Sequence, residues 1–299
     1  MTAPYEIACD ESGYEGEKLI GSTTDVFAHA RVRLTHEAAA DFMRELHRRI
    51  RSPVTEYKAN HILRDKHRAV LRWALDPAGP LHGSASAFLI DKAWYVLSRA
   101  VDLLVPGMPV PRGGRELYGD AAWHAFLLAT NNLLWTKDLT GTAAASYFAA
   151  LPPVVDGDVL GGLRTCRAAA EEFRRHPTVV LEPLVTAITQ AVTDVAPPVV
   201  VVHDQTNTLS PSRIAGLVSS LPGLAGIRLV DSLDDARVRV ADVVAGVARK
   251  LASDELNGRG DAELIPLLRP FVDAGSIWGD ERSWSALGTG IPAAPSNPA

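Results

Sequence analysis

Cysteine is scarce in this chain: 299 residues hold only Cys9 and Cys166. Two thiols cannot build a disulfide framework, and Cys9 falls in a strand-like run, so a reducing, cytoplasmic setting is expected. No apolar stretch approaches the roughly 20 residues of a membrane span, so no membrane association is expected. Residues 1–6 lack a basic region followed by an apolar one, so no secretory leader is expected. Excess base is missing too. The net charge is −5 and the pI about 6.0, which argues against a broadly basic nucleic-acid-binding surface. Nucleic acid stays open as a partner, because a local patch or bound cations can neutralise phosphates. The most basic stretch, Arg44 to Arg72, reads either as such a patch or as a solvated helix face.

What is present suits a globular protein. A hydrophobic content of 47% supports a sizeable core. Tyr5, Ile7 and Cys9 alternate with Glu6, Ala8 and Asp10, the period of a strand. Val26 to Leu34 alternates again and reads as its hairpin partner. Thr35 is a good N-cap for a helix through about Arg51, stopped by Ser52-Pro53. A second helix is expected over 65–75 and a strand over 84–91. Helices are expected over 93–105, 120–135 and 181–195, with broken Ala-rich helix over 140–175. Four consecutive valines, Val199 to Val202, read as a central strand covered on both faces. A helix over 211–220, a short strand over 227–230 and an apolar helix over 238–253 follow. The predicted class is α/β. We expect one domain over 1–290 with a helical insertion at about 94–195, and a disordered Pro/Ala/Ser-rich tail over 291–299. Trp94, Tyr95, Trp123 and Trp135 in the insertion read as core residues before base-stacking ones.

Four carboxylates stand where the surroundings are apolar or sharply turned. Asp10 ends the first strand and runs into Glu11-Ser12-Gly13. Glu56 lies in Glu56-Tyr57-Lys58, an extended segment after a proline. Asp204 ends the valine strand. Asp242 is the only charge between Val240 and Ala248. Each also has a plain structural reading: a turn residue at Asp10 or Asp204, a surface ion pair of Glu56 with Lys58, a solvated helix position at Asp242. Charges in such places cost several kcal/mol unless they are paired or metal-bound. Ligands of α/β sheets bind at the carboxyl ends of strands, where Asp10 and Asp204 both lie. Oxygen-only donors point to Mg²⁺ or Mn²⁺ as cofactor.

Together, Asp10-Glu11-Ser12-Gly13, Glu56-Tyr57-Lys58, Ile90-Asp91-Lys92, Val202-His203-Asp204, Asp231-Ser232 and Val240-Ala241-Asp242-Val243-Val244-Ala245-Gly246 carry a resemblance. In this order, over about residues 5–252, the chain resembles the DUF3800 family. The resemblance implies an RNase H-like fold: a mixed five-stranded sheet, its first three strands antiparallel, flanked by helices. It implies metal ligands at Asp10, Asp204 and Asp242, with Glu56 as the fourth. Lys58 and Lys92 become helpers that contact phosphate or orient a carboxylate. Two positions depart from the family pattern. Gln205 stands where an acid is common, which would weaken a second metal site, and Arg239 stands where Gln is usual. The expected function is a metal-dependent nuclease acting on DNA or RNA. The alternative is a non-catalytic module on the same scaffold that binds nucleic acid or protein in phage defence or mobile-element biology. A PIN-like nuclease would need an all-parallel sheet, which the hairpin argues against.

Overall fold

The computed structural model describes residues 4–51, 59–110, 115, 118–138, 140–152, 159–196 and 198–288. Glu56, Lys58 and the tail from 291 lie outside them. Five strands, β1 (Tyr5–Ser12), β2 (Val26–Val32), β3 (Ala85–Asp91), β4 (Val199–Asp204) and β5 (Leu224–Val230), form one sheet in the order β3-β2-β1-β4-β5. β1 pairs antiparallel with β2, and β2 antiparallel with β3. β4 runs parallel to both β1 and β5. This mixed open sheet, flanked by helices, has the arrangement the resemblance implied, and its antiparallel half is incompatible with an all-parallel sheet. β5 starts three residues earlier than its sequence signal, because its first half is carried by pairing with β4.

Alternation along the strands sends two sets of side chains to opposite faces. On one face Ala8, Ala28, Ala30 and Val202 pack on α1 (His36–Ile50) and on the long helix α11 (Ala236–Leu256). On the other face Ile7, Cys9, Phe27 and Val201 pack on α4 (Lys92–Leu104) and α9 (Pro183–Thr193). The expected insertion is therefore the second helical layer of the fold. Between α4 and α9 it holds α5 (Asp120–Leu134), α6 (Ala143–Ala150), α7 (Val159–Thr165) and α8 (Arg167–Arg175). Trp94, Tyr95 and Trp123 are buried there, while Trp135 is half-buried.

The short helices α2 (Ala59–Ile62) and α3 (Arg68–Ala74) follow α1, with a single 3₁₀ turn at Asp65–His67. Local caps set the boundaries. Thr35 Oγ1 accepts from Ala38 N at 3.1 Å, and Arg51 closes α1 in the left-handed conformation at φ 51°. α10 (Pro211–Ser220) fills the β4–β5 crossover, with Ser210 as N-cap. After α11 come α12 (Leu264–Leu268) and α13 (Glu281–Leu287), which the sequence pattern did not reveal. The segment between them covers the β3 edge: Asp273 N donates to Ala87 O at 2.9 Å and Ile277 N to Leu89 O at 2.8 Å. A covered edge cannot recruit a foreign strand. Among the described residues no helix is long and apolar enough to cross a membrane.

Candidate functional site

The carboxyl ends of β1 and β4 lie side by side. Cys9 pairs with His203 in the parallel register, so the next position sets Asp10 beside Asp204. Asp10 lies two residues beyond Ala8 and Asp204 two beyond Val202, so both belong to the face that α11 covers. α11 crosses that face over β1 and β2 and carries Asp242. Burial pushes the Asp10 carboxyl up to about 9, with the charges of Glu11, Asp242 and Asp204 adding to the shift. Asp10 itself is 6% exposed; Asp204 and Asp242 are half-buried. Three of the four expected acids therefore stand near enough to feel one another.

Both sides of α11 around Asp242 are buried: Val240, Val243 and Val247 on one, Val238, Ala241 and Ala245 on the other. Gly246, one turn after Asp242, lies close against the start of α2, because a Cβ there would stand 2.3 Å from Ala59 Cβ. Ala59 directly follows the segment that carries Glu56 and Lys58.

Ser12-Gly13 shapes the exit from β1. Gly13 has φ 84°, and an added Cβ would meet Val26 O at 2.6 Å and Arg249 Cδ at 2.8 Å. Arg249 Nε donates to Ser12 Oγ at 2.9 Å, which ties the turn to α11.

Lys92 lies elsewhere. Its buried Nζ donates to Thr24 Oγ1 at 2.7 Å, Thr24 O at 2.9 Å and Ser22 Oγ at 3.0 Å, all in the loop before β2. Burial lowers its pKa to about 8. Asp91 is the N-cap of α4, with Oδ1 accepting from Ala93 N at 3.0 Å and Trp94 N at 3.2 Å. Burial raises its pKa to about 6. These two residues organise a loop and a helix start. The basic stretch is also largely answered internally. Arg48 and Arg49 pair with Glu45, and Arg68 with Asp261 and Glu263. That is the solvated-face reading of Arg44–Arg72.

Sequence reasoning missed a second group, on the opposite face of the sheet. Glu11 pairs in register with His29, and His203 with Cys9, so all three side chains leave the Asp10 face. His203 Nε2 lies 3.3 Å from Glu11 Oε2, and its ring stacks on His29 with centroids 5.5 Å apart. Burial drives His29 well below the ordinary histidine value. The signal was the register: whichever face Asp10 and Asp204 take, their neighbours Glu11 and His203 must share the other. Arg239, one turn before Asp242, is a further unforeseen feature, its buried Nε making no hydrogen bond.

The donor set of Asp10, Asp204 and Asp242 is all oxygen and anionic, and it suits a hard divalent cation. A positive charge beside Asp10 would offset the burial and the neighbouring negative charges that hold its proton. Among the described residues, however, no three His, Cys, Asp or Glu side chains already stand as a metal-holding group. Comparison with protein-family models, curated proteins and solved structures finds no match.

Proposed function

We propose that this protein is a divalent-metal-dependent nuclease, with Asp10, Asp204, Asp242 and Glu56 holding Mg²⁺ or Mn²⁺. The observation that carries the reading is the pairing that sets Asp10 beside Asp204 on the face covered by α11 with its Asp242; burial and the charges of Glu11, Asp242 and Asp204 push the Asp10 carboxyl up to about 9. Acids are rarely crowded at the carboxyl end of a sheet without a cation to answer them. When bound, such an ion supplies Lewis acidity and a water of lowered pKa for attack on a phosphodiester. The chain's own part is positional. β1 and β4 fix the backbones of Asp10 and Asp204 by parallel pairing, and α11 brings Asp242 over them. The turn held by Arg249 and Gly13 keeps the end of β1 from fraying. Lys92 supports this frame through the 22–24 loop. The test is hydrolysis of single- and double-stranded DNA and RNA with Mg²⁺ or Mn²⁺. Wild type should turn over, and Asp10→Ala and Asp204→Ala should lose at least about 100-fold. Equal activity in all three proteins would remove the mechanism.

One observation favours the alternative, a non-catalytic module that binds nucleic acid or protein: the described acids do not already form a metal-holding group. That reading predicts no turnover with any of the four substrates, and nucleic-acid or partner binding that Asp10→Ala leaves intact.

A further inference from the structure

A cavity of about 450 Å³ opens at the same edge of the sheet, two strands away from Asp10. It is bounded by the start of α4, the start of α5, the C-terminal end of α11 and the Gly279–Arg282 segment. Its size falls within the range of small-ligand sites. Trp94 and Trp123 give it two indole rings. Both rings are held in place. Gly279 lies against Trp94 so closely that a Cβ would stand 2.7 Å from the ring, and Trp123 stacks on Tyr118 with centroids 5.9 Å apart. The walls add three acids, Asp25, Asp91 and Asp280, and the guanidinium groups of Arg115 and Arg282. Asp25 is already engaged by Ser253 and Asn257, while Asp280 Oδ2 caps α13 through Ser283 N and lies 3.6 Å from Arg282 Nη2. Arg282 is fixed where it stands, its Nη2 donating to Glu255 O at 2.9 Å and Leu256 O at 3.1 Å.

Each part suits one piece of a nucleotide. Rigid aromatic rings stack on bases at low entropic cost. Carboxylates accept from exocyclic amino groups, and guanidinium groups pair with phosphate. We propose that this cavity binds a nucleotide, its base against Trp94 and Trp123, its amino-bearing edge toward Asp91 and Asp280, and its phosphate toward Arg115 and Arg282. α11 links the cavity to the carboxylates, since Asn257 on the cavity wall lies about 22 Å further along that helix than Asp242. As an anchor for a nucleotide several positions from the scissile bond, the cavity rests on the nuclease reading; as a nucleotide site, it stands alone.

The test is titration of the full chain with adenosine, guanosine, cytidine and uridine 5′-monophosphates in EDTA, followed by calorimetry and tryptophan fluorescence. EDTA keeps metal chemistry out, so failure of this site and failure of the nuclease reading are read separately. The three amino-bearing nucleotides should bind one saturable site with Kd below about 1 mM and quench the fluorescence. Uridine monophosphate and ribose 5-phosphate should bind at least about tenfold more weakly. Ala93→Trp, which fills the cavity, should abolish binding, and Arg282→Ala, at the exposed rim, should weaken it by about tenfold. Thermal melting establishes that each variant is folded; if Ala93→Trp is not, Arg282→Ala and the ligand series decide. No saturation by any of the four nucleotides, ribose 5-phosphate binding as tightly as they do, or undiminished binding in both variants would overturn the proposal.

Discussion

Glu11 Oε2 and His203 Nε2 meet at 3.3 Å between β1 and β4, behind the acids of the proposed site. His203 Nδ1 lies 2.9 Å from Asp204 O, and a carbonyl only accepts, so Nδ1 carries a proton. Nε2 then faces a carboxylate oxygen, and two bare acceptors at that distance would repel. A hydrogen bond between them requires one more proton, which burial favours on Glu11 by raising its carboxyl above the ordinary glutamate value. Gln can donate to a neutral Nε2 and Ala cannot. Glu11→Gln should therefore cost less than about 1 kcal/mol, and Glu11→Ala about 1–3 kcal/mol, in urea denaturation at pH 7. Equal losses would mean that the pair holds no shared proton.

Asp10 makes stability fall with pH when no cation is bound. Its folded pKa, about 9, lies above the unfolded value of 3.8. The unfolded chain therefore releases this proton first, and the folded state loses stability as pH rises from about 4 toward about 9. Asp10→Asn has no such proton. In EDTA at pH 8 it should be more stable than wild type by roughly 2 kcal/mol or more, and at pH 4 the two should nearly coincide. Chemical denaturation at both values measures this, and Mg²⁺ or Mn²⁺ should close the gap at pH 8 by stabilising wild type alone. A gap independent of pH would show that Asp10 is ionised without metal.

Lys92 was expected beside the carboxylates and instead holds the 22–24 loop. Lys92→Met would leave Thr24 Oγ1 and Ser22 Oγ without the ammonium donor and Thr24 O with Ser22 Oγ alone, at a cost of about 2–4 kcal/mol. The sign of its own pH dependence is opposite to that of Asp10. The folded pKa of about 8 is below the ordinary lysine value of 10.5, so the unfolded state binds more protons in that window and stability rises from about pH 8 to 10.5. Lys92→Met should remove that rise in a denaturation series. If the nuclease reading holds, kcat of the folded variant should stay within about threefold of wild type. A large kcat loss at unchanged stability would return Lys92 to the chemistry.

The sheet could be read from alternation in β1 and β2 and from the valine run of β4, because each strand's burial is written in its own residues. β5 was half visible, since exposed Ala225 and half-buried Gly226 interrupt the apolar signal of its first half and pairing with β4 decides. The neighbouring positions of Asp10 and Asp204 follow from two strand ends, which parallel pairing sets side by side; Asp242 entered through the resemblance, and its charge reaches Asp10. The partners of Lys92 were not legible because motif adjacency says nothing of direction: Asp91 ends β3, and the next residue already belongs to a helix that turns its side chain to the 22–24 loop. The Glu11–His203 contact depended on register, which only the folded sheet sets.

Two glycines in helices separate intrinsic propensity from packing. Ala in place of Gly inside a helix gains about 0.5–1 kcal/mol when nothing opposes it. At Gly216, in α10, an added Cβ meets nothing within 4 Å, so Gly216→Ala should raise stability by about that amount. At Gly246, in α11, the same Cβ would stand 2.3 Å from Ala59 Cβ, which has no flexible end to swing away. Overpacking of this kind costs about 1–3 kcal/mol and outweighs the propensity gain, so Gly246→Ala should be net destabilising. To relieve the clash, Ala59, the residue next in sequence to Lys58, must move from α11. In a folded Gly246→Ala protein, metal-dependent hydrolysis should therefore fall by about tenfold or more, while Gly216→Ala leaves it unchanged. Thermal melts and nuclease assays on the pair measure both effects. A Gly246→Ala protein as stable and as active as wild type would show that the start of α2 does not position the site.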